Sequence, residues 1–366
     1  MSIESLARPE IVAMKPYSSA RKEAPGKGIL LNANESPWSL LENAGPENMG
    51  TGSNLNRYPD PQPRELVSRL AELYAVNEEN VLVTRGSDEG IDLLTRVFCR
   101  AGQDAILHCP PTFGMYRIAA QTQGAAIVSV PRSSVNGFSL DRQGVLDAVA
   151  GDDRIKLIFL TSPNNPTGDA IEPDWLPDLL DATSDRALVV VDEAYAEFCR
   201  FPSAAKLIDQ FENLVVLRTL SKAWAAAGLR CGVVLAQVSV ISLLRRIIAP
   251  YPLASPVISL ACRMLDKETL ERQKRLLDEV AQNKTRLLRI LEGRPFISDL
   301  WPGEANFVLF RSGRADDLLN FCAARGVILR GYPSDPLLSG CIRISVGSDR
   351  DLSALESALN AWEAES

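Results

Sequence analysis

Seven short apolar runs, spread along the middle of the chain and each closed by a turn signal, limit what this sequence can fold into. They are 81-VLV-83, 104-DAILHC-109, 125-AAIVSV-130, 155-IKLIFL-160, 187-ALVVV-191, 214-LVVLR-218 and 231-CGVVLA-236. Runs this short, continuous and β-branched suit strands covered on both faces, because a half-exposed strand would alternate polar with apolar. Helix-like stretches separate several of them. In 87-SDEGIDLLTRVF-98, Ile91, Leu94 and Phe98 fall on one face at helical spacing, with Ser87 placed as the N-cap. The alternation predicts an α/β architecture, a mostly parallel seven-stranded sheet with helices on both faces.

From about Pro256 the pattern changes. The charged segment 266–293 reads as one long exposed helix ending at Gly293. Strand-like 305-ANFVLF-310, helix-like 315–326, strand-like 327-VILR-330 and 341-CIRISVG-347, and a last helix from Asp349 follow. This is a smaller α+β unit. The first 45 residues lack a sheet pattern and are expected to pack on it. The predicted organisation is a large domain over 46–255 and a small domain built from 1–45 and 256–366. A chain of 366 residues, 46% hydrophobic, can bury cores of this size.

Composition removes several function classes. The net charge is −7 with signs mixed and no basic stripe, which argues against a nucleic-acid partner. No run reaches the roughly 20 apolar residues of a membrane span, and Met1–Pro16 lacks a signal-like apolar core, so a cytoplasmic location is expected. Seven cysteines stand singly, which predicts reduced thiols and no disulfide or zinc framework. The one histidine, His108, rules out chemistry that needs two.

In a parallel sheet, functional loops lie beyond the C-terminal ends of the strands. Five such ends carry polar or glycine-rich segments: 84-TRGSDEG-90, 110-PPTFGMY-116, 161-TSPNNPTG-168, 192-DEAYAEF-198 and 219-TLSKAWAAAGLRCG-232. Together these resemble the class I/II, fold-type I aminotransferases: N-P-T-G, D-x-x-Y about 25 residues on, S-K about 25 further, and an Arg eight residues after the Lys. The resemblance spans nearly the whole chain. It implies the fold-type I transferase architecture, pyridoxal 5'-phosphate as cofactor and amino-group transfer as activity.

The resemblance also assigns roles. Lys222 is the Schiff-base lysine and proton carrier, and Asp192 keeps the ring nitrogen protonated so that the ring remains an electron sink. Asn165 and Tyr195 bond the ring's 3′-oxygen, and Phe113 stacks on the ring where many relatives have Tyr. Ser87, Asp88, Thr219, Ser221 and Arg230 surround the cofactor phosphate; the acidic Asp88 is expected to offer only its backbone, with its side chain turned away. Tyr58 matches a residue that reaches the neighbouring subunit's cofactor phosphate, which implies a homodimer.

Within that family, 30-LLNANESP-37, 57-RYPDPQP-63, 249-APYPLASP-256 and the segments around Arg330 and Arg343 resemble the histidinol-phosphate aminotransferases. Arg343 matches the family's carboxylate-binding arginine. A phosphate substrate would engage Arg330 as well, with Tyr17 and Asn34 on the substrate side. The implied partners are a small amino donor and 2-oxoglutarate. A threonine-phosphate decarboxylase and an aromatic aminotransferase of the same fold are the alternatives, and a cofactor-holding regulator is a third.

Overall fold

The computed structural model describes residues 2–14 and 55–365. Tyr17, Asn34 and most of the segment ahead of Arg57 lie outside the described residues. All seven apolar runs are strands: β1 (Val81–Thr84), β2 (Ala105–His108), β3 (Ala126–Ser129), β4 (Ile155–Thr161), β5 (Leu188–Asp192), β6 (Leu214–Thr219) and β7 (Gly232–Ala236). They form one sheet in the order β1-β7-β6-β5-β4-β2-β3. The pairs from β6 to β3 are parallel, and β7 is antiparallel to both β6 and β1. Two antiparallel steps return β1 to the direction of β6, so β1, β2, β4, β5 and β6 all end on one edge. The register levels those ends, with Thr161 opposite Asp192, and Gly232 opposite both Thr219 and Thr84.

Burial explains the composition of these strands. Val189, Val191, Leu214 and Val216 join a cluster on one face, with helices Arg64–Tyr74, Trp175–Thr183 and Ser255–Met264. Leu188, Val190, Val215 and Leu217 point into a second cluster, under helices Gly86–Phe98, Met115–Gln123 and Val238–Leu244. Both faces are covered, so alternate side chains can all be apolar.

Two expectations about the small unit change. Ile3, Leu6, Ala7 and Ile11 are buried in the second sheet cluster, and the Arg8 N–H donates to the Val97 carbonyl at 3.0 Å. Residues 3–13 therefore pack on the large sheet, not on the small unit, because their apolar positions complete the cover over Val97 and Phe98. Nor does the large unit stop at 255. Ala261, Cys262 and Leu265 lie in the first sheet cluster, and Arg69 donates to the Cys262 carbonyl at 2.9 Å.

The transition falls inside the helix Lys267–Leu291, 25 residues long and so about 37 Å. Its Leu270 and Leu277 pack on the large sheet's cluster. Leu287, Ile290 and Leu291 enter a third cluster under a four-stranded antiparallel sheet. That sheet has the order β10-β11-β9-β8, with β8 (Asp299–Trp301), β9 (Phe307–Arg311), β10 (Arg330–Gly331) and β11 (Cys341–Ser345). Strand β8 has no counterpart among the predicted runs. The run 327–330 supplies only its last residue to the ladder, because β11 pairs with just two residues there and Ile328 is left 79% exposed.

Candidate active site

The levelled strand ends bring Asp192, Tyr195, Asn165 and Lys222 into one cluster. Asp192 ends β5 and is 2% exposed. Its Oδ1 accepts from the Ala194 N–H at 3.1 Å and its Oδ2 from the Tyr116 hydroxyl at 2.7 Å. Burial raises its pKa to about 6, against these two hydrogen bonds, which favour the charged form. Tyr195 follows in the same loop. Burial pushes its hydroxyl up to about 12, so it stays a donor at neutral pH.

Asn165, from the loop after β4, donates to Tyr195 Oη at 3.4 Å and accepts from Arg343 Nη1 at 2.5 Å. A close backbone approach holds this loop against the small sheet. A Cβ on Gly168 would come within 2.8 Å of Gly303 Cα, and the Glu304 N–H donates to the Gly168 carbonyl at 2.6 Å. Arg343 lies over the Phe307 ring at 5.1 Å, and its Nε is buried with no acceptor. That donor fits an incoming anion.

Lys222 reaches the same space from the loop after β6, with Nζ 5.5 Å from the Tyr195 ring centroid. Its side chain meets solvent, yet its pKa is lowered, first by desolvation and then by the Arg343 charge. A lowered pKa enlarges the neutral, proton-accepting fraction.

The donors predicted for a phosphate converge beside Lys222. Thr219 Oγ1 donates to Ser221 Oγ at 2.9 Å, and Arg230 Nη1 lies 3.4 Å from Ser221 Oγ. The Arg230 backbone is left-handed, φ 52°, and its guanidinium lies against Gly86; a Cβ there would sit 2.8 Å from Nη2. Gly232 is similarly required, since its Cβ would meet Ser87 N at 2.7 Å. The start of helix Gly86–Phe98 is thereby pressed against the Lys222 loop, where first-turn N–H groups lack intrahelical acceptors. This cradle fits a small polyanion.

Two details here depart from expectation. Ser87 is not the N-cap: Arg85 holds that position, and the Glu89 carboxylate accepts its N–H at 2.7 Å. Asp88 is not turned away, because the Arg230 guanidinium lies within 3.2 Å of its Oδ2. Elsewhere, Phe113 packs edge-on against Tyr116 at 5.8 Å. Tyr58 stacks on Tyr251 of its own chain at 4.4 Å, and 49% of it stays exposed. Arg330 is exposed, with its guanidinium 5.7 Å from the Tyr332 ring.

Sequence reasoning passed over Tyr116, although it stands in the quoted 110–116 segment. It also missed a buried ion cluster beneath the Lys222 loop. Arg218 binds Glu193 and Glu197, each at 2.7 Å. Glu197 also accepts from Trp224 Nε1 at 3.2 Å, and Glu193 from the Ala204 N–H at 2.6 Å. The signal was a charged residue inside an apolar strand, 214-LVVLR-218, opposite two acids in the neighbouring exit loop.

The aminotransferase class I and II family model matches residues 26–361. The histidinol-phosphate aminotransferase of Cronobacter sakazakii is 42% identical over 98% of this chain and 97% of its own length. A Photorhabdus laumondii protein, provisionally named a histidine biosynthesis bifunctional protein, is 42% identical over 97% of this chain, which spans only 43% of that protein. Among solved structures, the histidinol-phosphate aminotransferase of Sinorhizobium meliloti in complex with pyridoxal-5'-phosphate superposes with a TM-score of 0.76. It is 24% identical, covering 86% of this chain and 84% of the other. With the family model and near-full-length relatives in agreement, the chain belongs to the class I and II aminotransferases.

Proposed function

We propose that this chain is a pyridoxal-phosphate-dependent aminotransferase that moves an amino group between L-histidinol phosphate and 2-oxoglutarate. The carrying observation is the convergence of Asp192, Tyr195, Asn165, Lys222 and Arg343 on one space, beside the Thr219–Ser221–Arg230 cradle. The substrate reading is supported by the name of relatives 42% identical over nearly the full chain.

When bound, the cofactor supplies an electron sink for the negative charge left at the donor carbon. The chain's residues do the rest. Lys222 Nζ, held below its usual pKa, takes and returns the substrate proton. Asp192, held by Tyr116 and Ala194, keeps a proton on the ring nitrogen. Tyr195 and Asn165 donate to the ring oxygen, while Thr219, Ser221, Arg230 and the Gly86 helix start hold the phosphate. Arg343 binds the anionic end of each substrate, joined by Arg330 when that end is a phosphate dianion.

The reading includes a cytoplasmic homodimer in which Tyr58 serves the neighbouring subunit. The test is product analysis with a substrate panel. Glutamate formed from 2-oxoglutarate and histidinol phosphate is expected. Carbon dioxide released from threonine phosphate, or turnover of aromatic donors alone, would overturn it.

A further inference from the structure

Four hydrogen-bonding contacts run in series from Asp192 to the loop after β4. Tyr116 Oη lies 2.7 Å from Asp192 Oδ2 and 2.8 Å from Thr161 Oγ1. Thr161 Oγ1 lies 3.1 Å from Thr112 Oγ1, which lies 2.7 Å from Asn164 Oδ1. The far end has fixed polarity. Asn164 Nδ2 faces the Pro111 carbonyl at 2.9 Å and Thr167 Oγ1 at 2.6 Å, so Asn164 Oδ1 is the acceptor. The single hydroxyl hydrogen of Thr112 is committed to it.

Counting hydrogens gives the chain two states. With Asp192 ionised, Tyr116 donates to Oδ2, Thr112 donates to Asn164, and Thr161 has one hydrogen for two neighbours. Three hydrogens then serve four contacts. With a proton on Oδ2, four hydrogens serve four contacts, all directed from Asp192 towards Asn164. Tyr116 and Asn164 are 0% exposed and Thr161 and Asp192 2%, so the Asp192–Tyr116–Thr161 part of the chain is closed to bulk water, while Thr112 is half-buried.

We propose that Tyr116 is a positioning residue which, with Thr161 and Thr112, sets the proton affinity of Asp192. As donor it favours the carboxylate; as the head of an aligned chain it also accommodates the acid. Other charged or titratable groups facing Asp192 are Asp88 from the helix start, Glu193 and Tyr195 from its own loop, and Lys222 from the next. The consequence for catalysis rests on Asp192 being the ring-nitrogen partner. A carboxylate made too basic would take the ring proton for itself and weaken the electron sink.

The test is the titration of Asp192 in cofactor-free protein, followed by carboxyl-13C aspartate NMR and assigned with Asp192→Asn. Tyr116→Phe removes the donor and should move the midpoint up by about one pH unit. Thr112→Val removes the contact to Asn164 in both forms, but the Thr161–Thr112 contact is required only by the aligned, protonated form, so the midpoint should move down. Thr161→Val carries the same downward expectation if Thr112→Val does not fold. A merely structural role for Tyr116 would admit water and lower the midpoint. A fall in Tyr116→Phe, or changes of one sign in both variants, or none beyond about 0.3 pH unit, would overturn the proposal. The acid limb of pyridoxal-phosphate affinity should move with the titration. If the titration moves as stated while that limb stays fixed, the role of Asp192 at the ring fails and the chain stands.

Discussion

Arg330 and Arg343 face each other directly across the β10–β11 ladder. Residues opposite one another in an antiparallel pair share a face, and like charges placed so repel. Arg343 is anchored through Asn165, whereas Arg330 is exposed at the edge. One carboxylate group needs one guanidinium, and the two carboxylates of glutamate lie at opposite ends of the molecule; a phosphate gathers two charges in one group and so relieves the repulsion of both arginines. Arg330→Ala should therefore lower kcat/KM for histidinol phosphate by roughly 10- to 100-fold, the loss of about 1.5–3 kcal/mol. Glutamate should change less than about threefold, on the order of 0.6 kcal/mol. Arg343→Ala should harm both. Equal losses for the two substrates in Arg330→Ala would refute the phosphate role.

Lys222 is the lysine whose amine projects over Tyr195 towards Asp192 and Arg343. Borohydride treatment of the yellow holoenzyme should fix the cofactor to this residue, and peptide mass spectrometry should find the adduct there. An adduct on Lys284 or Lys206 instead would remove Lys222 from its role.

The large sheet was readable in advance because each strand is buried on both faces, which leaves an uninterrupted apolar run. Strand β8 was not, since three half-exposed residues carry no periodicity, and the two-residue β10 was read three residues too early, as 327–330. The Lys222, Asp192 and Asn165 positions were legible through ordered spacings at strand ends. Tyr116 was not, because its function is set by a carboxylate 76 residues away, and a buried tyrosine in an apolar helix face looks like core. The packing of residues 3–13 was missed because short amphipathic turns do not say which surface they cover.

Tyr58 stacks on Tyr251 and is 49% exposed, although the resemblance makes it a donor to a neighbouring subunit. If that holds, mixing Tyr58→Phe with Lys222→Ala chains should create one site carrying neither change and another carrying both. Activity of the mixture should exceed the mean of the separate proteins. Strict additivity, or full activity in a sedimenting monomer, would exclude the shared site.

Arg218 neutralises two carboxylates in a pocket where all three side chains are nearly sealed. Its replacement by a hydrophobe strands both acids. Arg218→Met should cost about 3–5 kcal/mol, the range for breaking a buried ion pair. Guanidinium unfolding of both proteins at neutral pH would measure it. An undiminished midpoint at neutral pH would mean the cluster carries no net weight.

Asp192 is costly to the fold, and the sign of that cost follows from its titration. Burial is the chief cause that lifts its pKa to about 6, from the roughly 3.9 of an aspartate in water. Between those values the native state binds more protons than the unfolded chain, so stability falls as pH rises through that window. The contribution is fully present below about pH 4 and lost above about pH 6. A difference of about two pH units between the folded and unfolded titrations corresponds to about 3 kcal/mol at most. Asp192→Asn removes the titration, and its amide can donate towards Tyr116 as the protonated acid would. The cofactor-free variant should therefore be more stable than the wild type at pH 8, by about 2–3 kcal/mol. The advantage should fade towards about pH 4. The same substitution should cost the holoenzyme roughly a hundredfold or more in kcat, about 3 kcal/mol, because an amide cannot hold the ring proton. Urea unfolding of both cofactor-free proteins across that pH range, set beside kcat, checks the exchange of stability for catalysis. A variant less stable than the wild type at pH 8 would mean that packing, not charge burial, dominates at this site.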